Sequence, residues 1–72
     1  MAAVFTKTLV RATETRSFHV ERKAPAGWHT RELANDRVFR QQDRTDWHRV
    51  ERDLARFARE IENLRRQGWH EA

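Results

Sequence analysis

Seventy-two residues with no cysteine, two glycines and a net charge of +4 allow one small domain, spanning 1–72, and exclude most catalytic architectures. Only fourteen residues are Leu, Ile, Val or Phe, close to the roughly 20% below which chains tend to stay disordered. The low net charge and three tryptophans, which add large buriable area, argue for a folded chain instead.

A domain this short buries only about 60% of its unfolded surface, so self-association is a common remedy for its thin margin. The lack of cysteine fits a cytoplasmic setting. No apolar run approaches the roughly 18 residues of a membrane span, so no membrane association is expected. Residues 1–44 hold nine basic and five acidic side chains, whereas 45–72 hold six of each. The excess positive charge therefore lies in the first segment.

In chain order, β-branched residues predict a strand over 4–11, and alternation of Phe18 and Val20 with polar neighbours predicts a second over 17–23. Ala24-Pro25-Ala26-Gly27 reads as a turn, followed by strands over 28–33 and 38–42. Between these two, the Asn35-Asp36 pair tolerates the positive φ of a tight hairpin. From Trp47 the period changes: Trp47, Val50, Leu54, Phe57, Ile61 and Leu64 step by three and four, predicting an amphipathic helix over 46–67. Thr45 or Asp46 supplies its N-cap, Arg65 and Arg66 its last turn, and Gly68 its left-handed stop, with Trp69 folding back onto it. The expected fold class is α+β: a four-stranded antiparallel meander with one C-terminal helix packed on one sheet face.

Four-residue loops at 13–16, 24–27 and 34–37 place Leu9 opposite Val20, Phe18 opposite Leu33, and Leu33 opposite Val38. Phe5, Leu9, Phe18, Val20, Leu33 and Val38 then share the helix face, with Lys7, Arg22, His29, Arg31 and Arg40 toward its other end. The opposite face would carry Thr6, Thr8, Val10, His19, Glu21, Trp28, Thr30, Phe39 and Gln41. Trp28 and Phe39 would form an uncovered aromatic pair there, a usual mark of a contact surface.

The residues give little support to catalysis or metal chemistry. There is no cysteine and no tyrosine, serine occurs once at Ser17, and neither glycine lies in a phosphate-cradling loop. The four histidines lack a His-x3-His helix spacing, so no metal site and no cofactor are expected. His48 and Glu51, at i,i+3 on the helix, read as a surface pair. An enzyme is not expected.

Two functional readings remain. The first is a protein-interaction or regulatory module, homodimeric or bound to a host protein, with Trp28, Phe39 and Val10 at the interface. The alternative is a single-stranded nucleic-acid binder in which Lys7, Arg22, Arg31 and Arg40 contact phosphates while Trp28 or Phe39 stacks on bases. In element order, four antiparallel strands and a long helix, the chain is similar to the PUR-repeat single-strand binders, which dimerise. No residue motif accompanies that likeness, and it implies no site residues.

Overall fold

The first hairpin turns on only two residues. In the computed structural model, which describes residues 3–72, β1 (Ala3–Arg11) and β2 (Glu14–Arg22) meet at Arg11 and Glu14, with Ala12 in the left-handed region at φ 54°. Residues 14–16 of the expected loop over 13–16 are thus strand instead, and Leu9 pairs with Arg16 while Phe5 pairs with Val20. That is a slip of four residues. An even slip leaves every side chain on its expected face, so Phe5, Leu9, Phe18 and Val20 still point together.

The second connection differs by one residue, with larger consequences. Lys23–Gly27 forms a five-residue loop closed by a Lys23 N–H donating to the Gly27 carbonyl at 3.0 Å, and β3 (Trp28–Ala34) begins opposite Arg22. Phe18 therefore faces Glu32, not Leu33. An odd slip inverts a strand. Trp28, Thr30 and Glu32 turn toward the helix, whereas His29, Arg31 and Leu33 turn away from it.

The third hairpin turns at Asn35 and Asp36, both at positive φ (51° and 65°) as their short polar side chains permit. The Asn35 side-chain oxygen also accepts the Thr15 N–H at 2.9 Å. β4 (Arg37–Arg44) pairs with β3, and a bulge between Glu32 and Leu33 keeps Val38 opposite Leu33 on the uncovered face.

α1 (Trp47–Arg66) starts where Asp46 Oδ1 accepts the His48 N–H at 2.9 Å. It ends in a Schellman arrangement, the Trp69 N–H on the Leu64 carbonyl and the Gly68 N–H on the Arg65 carbonyl. Arg11 adds a guanidinium to this negative helix end, donating to the Gln67 carbonyl at 3.0 Å and stacking over Trp69. The reversal lets His70–Glu71 form a short β5 against β1, so the five-stranded sheet runs β4-β3-β2-β1-β5.

The core lies between α1 and the β1–β2 half of the sheet: Leu9, Phe18, Val20, Val50, Phe57, Ile61, Leu64 and Trp69 are buried. Phe57 meets Phe18 with ring centroids 5.2 Å apart. Leu54, on the outer side of the stripe, is only half-buried.

Truncating Phe57 to Ala is expected to cost about 3–5 kcal/mol, and Leu54 to Ala only about 1–2, because part of Leu54 already faces solvent. Chemical denaturation of both variants checks the ranking. The two glycines separate by a similar logic. A Cβ on Gly27 (φ 98°) would stand 2.6 Å from the Arg44 carbonyl oxygen, whereas one on Gly68 (φ 94°) would meet only the Arg11 side chain at 3.8 Å. Gly68→Ala should cost about 1–2 kcal/mol for left-handed backbone alone, and Gly27→Ala distinctly more.

Candidate functional site

The inverted β3 changes where the cations and aromatics of the sequence reading sit. On the helix side, β4 offers no aliphatic side chain to α1; Arg40 lies opposite Glu32, Gln42 opposite Thr30 and Arg44 opposite Trp28. A charged seam holds this flank instead. Asp53, 4% exposed, accepts two hydrogen bonds from Arg44, Nε at 2.9 Å and Nη2 at 3.1 Å. Glu32, also 4% exposed, accepts from Arg56 Nη1 at 2.5 Å, and Arg40 Nε stands 3.7 Å away. Arg56 Nη2 reaches Asp53 at 3.5 Å, which makes one continuous chain of three arginines and two carboxylates. Each buried carboxylate thereby has the partner that burial demands.

The expected phosphate contacts are therefore mostly engaged within the chain. Arg40 belongs to the seam. Lys7 donates to Glu71 at 2.8 Å, and Arg31 donates to Glu21 on the uncovered face. Arg22 alone of the four has no carboxylate within salt-bridge reach among the described residues. The four cations do not form one cluster, since Lys7, Arg22 and Arg40 lie on the helix side and Arg31 on the other.

Neither aromatic stands where the sequence placed it. Trp28 is half-buried on the helix side, its ring centroid 5.1 Å from that of Trp47, and it packs on the core. Phe39 sits at the β4 bulge, 51% exposed, with the Arg16 guanidinium 5.1 Å from its centroid. Arg16 is a helix-side residue that also approaches Glu60 at 3.6 Å. The expected aromatic pair on the uncovered face is thus replaced by two separate aromatics, Trp28 against Trp47 and Phe39 beneath Arg16. Val10 does lie on the uncovered face, paired with Thr15 and His70.

That face is ordered in rows across the strands. Thr8, Ser17, Leu33 and Val38 form one; Thr6, His19, Arg31 and Gln41 the next; Glu21, His29 and Asp43 a third. Hydroxyls and aliphatics occupy one half, and polar groups already paired occupy the other: Arg31 with Glu21, and His29 Nδ1 with Asp43 at 2.6 Å. Lys23 also donates to Asp43 at 2.8 Å, and with His29 it holds that carboxyl below its ordinary 3.8. Among the described residues no group of three or more His, Asp or Glu is placed to hold a metal ion, and no helix is long and apolar enough to cross a membrane.

His19 sits in the middle row, facing Thr6 from β1 and Arg31 from β3, with Glu21 two residues along its own strand. Burial and then the Arg31 charge lower its pKa below the ordinary 6.5, with Glu21 opposing. The folded state thus binds the His19 proton less readily than the unfolded chain. Stability from this group is full above pH 6.5 and declines as pH falls through the lowered value. Asp43 and Glu71, both held below their ordinary carboxylate values, add losses only at more acidic pH. Denaturant midpoints between pH 7.5 and 5 should fall for the parent and stay flatter for His19→Gln; equal slopes would remove His19 as the cause.

Compared with family models, curated proteins and solved structures, the chain finds no match in any of the three.

Proposed function

We propose that this chain is a small non-enzymatic protein-interaction module that self-associates through the uncovered sheet face. The observation that carries the reading is the one-sided cover: among the described residues, the five-stranded sheet has a single helix, packed on one face. With strands about 4.8 Å apart and about 3.3 Å per residue, the open face measures on the order of 20 by 23 Å. Two such faces in contact approach the low end of specific interfaces, about 1,000 Å² in total.

The chemistry of the face supports burial. One of its rows pairs Ser17 with Leu33 and Leu33 with Val38, and the Arg31 charge in the middle row is already matched by Glu21, so covering the face leaves few ions without a partner. The depressed pKa of His19 favours a neutral ring there. The interface is thus assigned to Val10, Ser17, Leu33 and Val38, in place of Trp28 and Phe39.

Nucleic-acid binding is the weaker reading, because Lys7, Arg31 and Arg40 each face a carboxylate of the same chain. A phosphate would have to displace those partners.

Sedimentation at about a hundred micromolar should give a dimer, an affinity regime common for small modules, and Leu33→Lys should give a folded monomer. A monomeric parent under those conditions would sink the self-association. The nucleic-acid alternative is decided by salt. Firm retention of a single-stranded oligonucleotide with a log–log slope near 0.7 per neutralised phosphate, lost on replacing Arg22, Arg31 and Arg40 by Gln, would reverse the preference.

A further inference from the structure

At the other edge of the sheet, β1 is paired over part of its length only. β5 pairs with Leu9 and Val10, and the Ala72 N–H donates to the Thr8 carbonyl at 3.1 Å. Thr8 therefore directs its backbone groups toward the open edge. By antiparallel alternation Thr6 does the same, and among the described residues no strand lies beside Val4–Lys7 on that side. An edge of this kind is a template for strand addition.

Directly beneath the free stretch lies a groove of about 520 Å³ between β1 and α1, walled by Phe5, Leu54, Ala58 and Ile61. Lys7, Glu62 and Arg65 form its rim. The chain's own β5 displays the chemistry this edge accepts. It lies extended and antiparallel to β1, and its Glu71 Oε1 is held by Lys7 Nζ at 2.8 Å and Arg65 Nη2 at 2.6 Å. Two cations share that one carboxylate, and the rim's other carboxylate, Glu62, stands 3.7 Å from Arg66 Nε, so the rim keeps positive charge for another anion.

We propose that the free β1 edge and its groove bind an extended acidic and apolar segment of a partner protein by strand addition, an apolar side chain entering the groove and a neighbouring same-face carboxylate meeting Lys7 and Arg65. Same-face side chains of a strand repeat every second residue, about 6.6 Å apart. The backbone of Thr6 supplies pairing, and the groove and the two cations supply selectivity, the division of labour found in strand-addition recognition. The proposal rests on the interaction-module reading and names a partner for it, at a surface separate from the proposed dimer face.

The probe is a fluorescein-labelled hexapeptide, Thr-Leu-Thr-Glu-Thr-Val, in which Leu, Glu and Val share one face; a control peptide carries Lys in place of Glu. Anisotropy should report saturable binding below about 1 mM, the weak end of specific affinity, and the control should bind about tenfold more weakly. Ala58→Arg fills the exposed groove without touching the core, and with an unchanged melt it should abolish binding. Glu71→Gln removes the internal competitor and should tighten binding. Amide exchange of Thr6 should slow on peptide addition. Absence of binding at 1 mM, equal binding of the Lys peptide, weaker binding to Glu71→Gln, or an unprotected Thr6 amide in the complex would each overturn the proposal. Sedimentation of the same samples keeps the dimer reading separate, since dimerisation through the sheet face survives any of these failures.

Discussion

Two buried carboxylates, Glu32 and Asp53, fix how the helix meets the sheet. The apolar stripe of α1 is narrow and finds its partners on β1 and β2, where Leu9, Phe18 and Val20 are buried. Over β3 and β4 the apolar contact is Trp28 on Trp47 at one end; the remaining helix-side residues, Thr30, Glu32, Arg40, Gln42 and Arg44, are polar or charged, so apolar burial alone does not hold that flank. Arg40, Arg44 and Arg56 join the two carboxylates there in a continuous chain of ion pairs. Such a seam adds little net stability over a well-packed apolar one, but removing one member strands another in a dry site. It therefore selects one register of β3 and β4 beneath the helix against the alternatives.

The helix and its ends were legible from sequence because several local signals agree there: the stripe, Asp46, Gly68 and Trp69. The Asn35-Asp36 turn was legible for the same reason. β3 was not. Its sequence, Trp28 to Ala34, carries an apolar residue on each parity, Trp28 on one and Leu33 on the other, so periodicity alone leaves its two faces nearly tied. One more residue in the loop before it decides the matter, and Gly27, held close to the Arg44 carbonyl, is the hinge of that decision. The burial of Glu32 runs against the ordinary rule that carboxylates face water, and its arginine partners come from β4 and α1, distant in sequence. The slip of four residues between β1 and β2 leaves the face pattern intact and so gives no signal, and a two-residue β5 is too short for any pattern.

This inversion also redistributes the candidate functional residues. The sequence reading gathered cations and aromatics that the fold separates: Arg31 to the open face with Glu21, Arg40 to the seam, Trp28 beneath Trp47, Phe39 to a bulge beside Arg16. The positive excess of the first 44 residues thus faces acidic side chains of the same chain to a large extent. The surfaces left without an intramolecular partner are the rows around Ser17 and Leu33 and the β1 edge near Thr6, and neither is strongly charged. Both are sheet surfaces, and both are where polypeptide partners are proposed.

The seam is tested most directly by a double-mutant cycle on Arg44 and Asp53, each replaced by Met. Every folded variant is unfolded in urea and the four free energies are combined. If the pair acts as described, each single variant is destabilised because it strands a charge, and the double variant recovers part of the loss, giving a coupling energy of about 1–3 kcal/mol. Losses that simply add, within about 0.5 kcal/mol, would contradict the account and leave the apolar stripe alone to hold the helix.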